Sequence, residues 1–113
     1  MNAIDFLERY LSLTSQRHTT VVTNMANIDT PGYRTRDVDF RSELQRVANG
    51  TQSTLQSTAR EVRGLIERPD GNNVNLDREA RLLSENALRF QVAAQLMKSQ
   101  IRAVRSAIQE GRS

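Results

Sequence analysis

The sequence predicts an all-α fold in which long N- and C-terminal helices pair as an antiparallel, coiled-coil-like hairpin, with a flexible or extended central segment. Two observations lead there. Apolar residues recur at three-four spacing near both ends, and the first 30 residues contain no glycine or proline. The middle, by contrast, is rich in Ser, Thr, Gln and Gly. The divisions expected are 1–30 for the first helix and its turn, 31–75 for the turn, extended segment and flexible middle, and 76–113 for the last helix.

The first helix is expected near residues 3–29. Its stripe runs Ile4, Leu7, Leu11, Thr14, His18, Val21, Met25 and Ile28, weakened in the middle by Thr14 and His18. It is stopped by "ANIDTPGY", residues 26–33. Pro31 disfavours helical backbone at Thr30. Thr30-Pro31-Gly32-Tyr33 suits a type II turn, with Gly32 taking the positive φ. Asn27 and Asp29 are placed to satisfy backbone groups at the helix end.

Beyond the corner, "YRTRDVDF" reads as an extended segment. Tyr33, Val38 and Phe40 would pin it, while Arg34 and Arg36 stand opposite Asp37 and Asp39 in a pattern suited to contact between subunits or to plain solvent exposure. Residues 47–75 read as mobile, with one helical turn conceivable around Val62, Leu65 and Ile66.

The last helix is expected over 76–110, roughly 50 Å long. Asn75 is its cap, Asp77 and Glu79 favour its positive end, and Arg78 excludes a reciprocal capping box. Its stripe runs Ala80, Leu83, Ala87, Phe90, Ala94, Met97, Ile101, Val104 and Ile108, and Gly111 provides a stop. Both helices carry more apolar surface than one seam needs: Phe6, Tyr10 and Leu13 on the first, Leu88, Val92 and Leu96 on the last. Either neighbouring chains cover these residues, or the central loop does so in a self-contained small bundle.

The composition excludes much else. A chain of 113 residues holds one domain, and 37% hydrophobic with 4% aromatic residues cannot build a large core. There is no cysteine for disulfides, thiol catalysis or thiolate metal sites. No apolar run approaches the roughly 18 residues of a membrane span. Asp5 and Glu8 oppose a cleavable signal peptide.

The net charge of +3 comes from interleaved acids and bases, with arginine supplying all basic residues except Lys98. His18 is alone on a helix seam, so a structural role is expected rather than a metal or general-base role. Asp37 and Asp39 share a face of an extended segment, but nothing marks an acid–base pair. "PDGNNVNLD" is too short and irregular for a calcium loop. The basic strip of Lys98, Arg102 and Arg105 lacks an aromatic platform for nucleic acid. The expectation is a non-enzyme without cofactor, metal, specific nucleic acid or small-molecule substrate; a helical nucleic-acid adaptor using the basic strip is the other reading.

Two blocks carry a family resemblance: "QRHTTVVTNMANIDTPGYRTRDVDF" at 16–40 and "PDGNNVNLDREARLLSENALRFQVAAQLMKSQIRAVRSAI" at 69–108. The chain resembles bacterial flagellar axial proteins of the rod and hook, where the ANIDTPGY turn recurs. The GNNV-N-L-D-R-E stretch, the NALRF segment and the short length resemble the proximal-rod family FlgB, with FlgC the near competitor. The resemblance assigns the helix-ending turn to Asn24, Ala26, Asn27, Thr30, Pro31, Gly32 and Tyr33, followed by Asp37, Asp39 and Phe40. It also covers Asn72, Asn73, Val74, Glu79, Asn86, Ala87, Leu88 and Phe90.

His18 departs from a glutamine common in the family, and Thr23 from a small alanine. The packing residues expected at assembly contacts are Ile4, Leu7, Leu11, Val21, Met25, Phe40, Leu83, Ala87, Phe90, Ala94, Met97, Ile101, Val104 and Ile108. The resemblance implies a torque-transmitting subunit of a hollow proximal rod in the periplasmic space, exported without a cleaved signal. Its implied partners are copies of itself, neighbouring rod subunits, the junction protein FliE and the flagellar export apparatus.

Overall fold

The computed structural model describes residues 2–50 and 59–112. Helix α1 spans Ala3–Ala26 and helix α3 spans Leu76–Gly111; they pack antiparallel as a hairpin. A short helix α2, Phe40–Ala48, lies against α1, and strands β1 (Arg36–Asp37) and β2 (Arg60–Glu61) pair antiparallel with Arg36 opposite Glu61. The radius of gyration is 18.0 Å and the long axis 70 Å. A compact chain of this length would have a radius near ~13 Å, so the molecule is a rod.

Local chemistry sets the helix ends. The Asn2 side chain accepts the Asp5 N–H at 2.8 Å, and Asn75 accepts the Arg78 N–H at 3.0 Å, each satisfying a first-turn donor. At the other end of α1 the Asn27 N–H bonds the Thr23 and Asn24 carbonyls, and its Nδ2 takes Thr23 O at 2.8 Å. The helix therefore closes at Ala26, before the proline is reached.

Phe40, read from the sequence as a strand residue, is instead the first residue of α2. Asp39 caps that helix: its carboxylate accepts the Ser42 hydroxyl at 2.8 Å and the Ser42 N–H at 3.3 Å. These bonds hold the Asp39 carboxyl below its ordinary pKa. Capping wins over the alternating pattern, which spans only two apolar residues.

The apolar core is small. Leu13, Val38 and Phe40 are buried, with Tyr10, Leu44 and Ala59 packed around them. The Tyr10 and Phe40 rings meet edge to face at 5.6 Å, and the Arg17 and Arg89 guanidinium carbons lie 5.5 and 4.7 Å from the Phe40 centroid. Segment 59–75 returns to α3 through β2, a bend at Gly64 and a turn closed by the Gly71 N–H on Arg68 O, while residues 51–58 of the stretch read as mobile lie outside the described residues.

The face of α3 turned toward α1 carries Glu79, Leu82, Asn86 and Ala93, all buried. That line runs about one residue N-terminal to the apolar stripe read from the sequence. Its polar members are buried because partners wait opposite them on α1, as the next subsection describes. Phe90 is consequently 44% exposed rather than seated in the hairpin seam. Past residue 97, α3 outruns the start of α1, and every residue from 98 to 112 is exposed.

Candidate assembly surface and the corner that orients it

The corner is built from both sequence blocks at once. The Tyr33 N–H donates to Thr30 O at 3.2 Å and Gly32 sits at φ 75°, as the type II reading requires. The loop before α3 then closes over this turn. Asn72 Nδ2 donates to three carbonyls at the end of α1 and in the turn: Asn27 O at 2.9 Å, Ile28 O at 3.0 Å and Thr30 O at 2.8 Å. Two hydrogens serve three acceptors, so one bond is shared.

Asn72 Oδ1 accepts the Val74 N–H at 2.8 Å. Arg68 adds donors to Ile28 O and Val74 O. Gly32 N–H reaches Asp70 O at 2.8 Å, and Asn73 Oδ1 accepts the Thr35 N–H at 2.7 Å. Each carbonyl in this corner thus gains a second donor from one asparagine 42–45 residues away.

Glycine is required at two points. A Cβ on Gly71, at φ 85°, would lie 3.4 Å from the Gly32 Cα, so the two turns touch backbone to backbone. Nothing would crowd a Cβ on Gly32, and there the positive φ alone is restrictive. Gly32→Val is therefore expected to cost about 2 kcal/mol through backbone strain. Urea denaturation of the isolated chain checks this; an unchanged midpoint would show that the turn relaxes freely.

Below the corner runs a buried polar chain. Asn24 is fully buried and makes four bonds: it donates to Arg36 O at 2.7 Å and Glu79 Oε2 at 3.1 Å, and accepts from the Tyr33 hydroxyl at 2.8 Å and the Arg36 N–H at 3.1 Å. Burial pushes the Tyr33 phenol above its ordinary pKa. Arg78 links Glu79 at 2.6 Å to Asp37 at 2.8 Å, and Asp37 receives both Arg17 nitrogens at 3.2 Å. Two guanidinium groups and two carboxylates balance, which is what makes a wholly buried Glu79 tolerable.

Asp37 and Asp39 thus diverge, one into this chain and one onto the α2 cap. The charges of "YRTRDVDF" are paired largely within the molecule, with Arg34 on Glu61 and Glu67. Among the described residues there is no cluster of three potential metal ligands, and no helix is long and apolar enough to cross a membrane.

The remaining sequence-predicted residues fall into two sets. Leu7, Val21 and Phe40 are buried; Ile4, Leu11, Met25, Leu83, Ala94 and Met97 are half-buried, as are Asn27 and Tyr33. Ala26, Thr30, Pro31, Gly32, Ala87, Phe90, Ile101, Val104 and Ile108 are exposed. Ala87 and Phe90 flank the α1–α3 seam on one side and Leu88, Val92 and Leu96 on the other, whereas Ile101, Val104 and Ile108 lie on α3 beyond it.

On one flank, Phe90 and Ala87 border a groove of about 380 Å³ with Thr14, Ser15, His18, Asn86 and Gln91; His18 is exposed at its rim. On the other, Leu88, Val92 and Leu96 line a groove of about 330 Å³ with Leu7, Tyr10, Arg89 and Ala93. Sequence reasoning missed Asn24, Glu79 and Asn86 as seam residues, although the family resemblance had named all three. No short-range pattern marks a polar residue for burial when its partner lies 55 or 72 positions away.

No family model matches the chain. Curated relatives do. It is 33% identical to "Flagellar basal body rod protein FlgB" of Yersinia enterocolitica, over 96% of this chain and 95% of that one. It is 32% identical to the protein of the same name from Salmonella typhimurium (strain LT2), over 96% and 94%, and 31% identical to that of Escherichia coli (strain K12), over 96% and 94%. The matched stretch covers 130 positions against the 113 of this chain, so the relatives carry insertions within it. Near-complete coverage, the corner made by the two resembling blocks and the all-helical hairpin agree: the chain belongs to the FlgB family of flagellar basal body rod proteins.

Proposed function

We propose that this rod subunit works as a passive, non-enzymatic element of the proximal rod, joining copies of itself and neighbouring rod subunits through the outer faces of α1 and α3 to carry torque around a central channel. The observation that supports the reading is the direction of the grease. The hairpin closes on a seam that mixes Leu7, Leu13, Val21, Leu82 and Ala93 with buried Thr14, Asn24, Glu79 and Asn86, while Leu88, Phe90, Val92 and Leu96 stay 44–62% exposed and Ile101, Val104 and Ile108 39–52% exposed. An isolated protein gains nothing from such a surface, whereas a neighbour covering it recovers roughly 25 cal/mol per Å² of apolar area.

Periplasmic placement, passage through the flagellar export apparatus without a cleaved signal, and contact with the junction protein FliE complete the proposal; the resemblance to rod proteins supports them.

Phe90→Asp tests the assembly role. Because Phe90 lies outside the intrachain seam, the substitution is expected to change the stability of the isolated chain by less than about 1 kcal/mol. Incorporation into basal bodies, measured by immunoblot of purified hook–basal bodies, is expected to fall by about tenfold or more. Normal incorporation of Phe90→Asp would overturn the assembly role of this face.

A further inference from the structure

The end of α3 stands clear of the rest of the chain. Residues 98–112 are all exposed, and they extend for roughly 22 Å. Their side chains are sorted by kind around the helix. At about 100° per residue, Met97, Ile101, Val104 and Ile108 fall within an arc of about 60°. Lys98, Arg102, Arg105 and Arg112 fill the neighbouring arc of about 80°, while Ser99 and Ser106 lie on the far side. No acidic residue occurs between Glu85 and Glu110. None of the four bases is in an ion pair among the described residues.

An apolar stripe with a line of cations along its edge calls for a surface that is oily on one side and negative on the other. Three surfaces compete for it. A helix of a second copy would have to face four cations with carboxylates, and this chain has no acidic line of that length; Asp5 and Glu8 on α1 make only one pair at helical spacing. Nucleic acid would take the cations but leave Ile101, Val104 and Ile108 in water, and the tail has no aromatic residue to stack on a base. An anionic bilayer satisfies both halves. The stripe enters the boundary of the acyl chains, and the long basic side chains reach the lipid phosphates beside it.

We infer that the α3 tail of the free subunit is a membrane-surface helix, which lies in the interface of an anionic bilayer through Ile101, Val104 and Ile108 and is held there by Lys98, Arg102, Arg105 and Arg112. Lipid then shields the tail until neighbouring subunits take its place. The contact goes beyond the assembly reading and belongs to the subunit before assembly, so its test uses the isolated full-length chain.

That chain is titrated with vesicles of phosphatidylcholine alone and of phosphatidylcholine mixed with an equal part of phosphatidylglycerol. Affinity for the mixed vesicles is expected to be higher by about tenfold or more, and to fall as salt is raised. Arg102→Gln with Arg105→Gln is expected to lose about tenfold of that affinity. Ile101→Ser with Val104→Ser is expected to lose about as much at unchanged charge. All four positions are exposed, so the melting midpoints should stay at the parent's value.

The chain has no cysteine, so one added thiol can carry an environment-sensitive fluorophore. At Ile108→Cys its emission is expected to shift to the blue on the mixed vesicles; at Ser106→Cys, on the far side, it should stay as in water. Equal affinity for the two kinds of vesicle, equal shifts at 106 and 108, or binding indifferent to either pair of substitutions would each overturn the inference. Tighter binding to duplex DNA than to the mixed vesicles would overturn it too. Any of these results leaves the assembly reading standing, because incorporation into basal bodies is measured separately.

Discussion

Asn24→Ala is expected to lower the melting midpoint of the isolated chain by about 12 °C or more, corresponding to a loss of about 3 kcal/mol. The size follows from what the side chain leaves behind. Glu79 Oε2, the Tyr33 hydroxyl, the Arg36 N–H and the Arg36 carbonyl all lose their Asn24 partner together. Glu79 is wholly buried and keeps only Arg78. A buried carboxylate deprived of a partner is costly even where the intact network adds little net stability.

The neighbouring Thr23→Ala removes an exposed hydroxyl bonded only to the Thr19 carbonyl, and should stay within about 0.5 kcal/mol of the parent. Circular dichroism melts of the two variants decide the matter. Equal midpoints for both would mean that the polar chain does not hold the hairpin.

The second large effect belongs to Asn72. Asn72→Ala should cost about 1–3 kcal/mol, because the buried Val74 N–H loses its acceptor while three carbonyls at the end of α1 and in the turn each lose one of their donors. Asn72→Asp discriminates further. It keeps the acceptor for Val74 but points a carboxylate oxygen at three carbonyl oxygens, so it should be at least as damaging as alanine. Hydrogen exchange across residues 24–34 reads the effect locally, with faster exchange expected at the corner than in the middle of α3. An aspartate variant as protected as the parent would remove the clamp from the account.

How far the sequence reaches depends on how local the cause is. The start of α3 was legible because Asn75, Leu76, Asp77 and Glu79 are adjacent, and the cap acts over three residues. The turn was legible for the same reason: Pro31 and Gly32 fix their own backbone. Helix α2 was not, because it is only about two and a half turns long and its only strong signal is the Asp39–Ser42 cap.

The phase of α3 failed for a more general reason. Hydrophobic spacing locates the greasy stripe, and this molecule does not use all of that stripe on itself. Asn24 meets Glu79, and Asn86 meets the Thr14 carbonyl, so the polar line turns inward and Phe90 turns out. The candidate surface was therefore visible as a surplus of apolar residues, while its placement on the flanks depended on polar partners far away in the chain.

The polar fastening has one more effect, on measurement. Two oily helices can slide past each other by a whole heptad, about 10.5 Å, and still bury similar area. Here such a slip would strand Glu79 and Asn86 away from Asn24 and Thr14, as two dowels out of their sockets. Each copy must then project its free end by the same distance, and a stack of identical parts accumulates no length error.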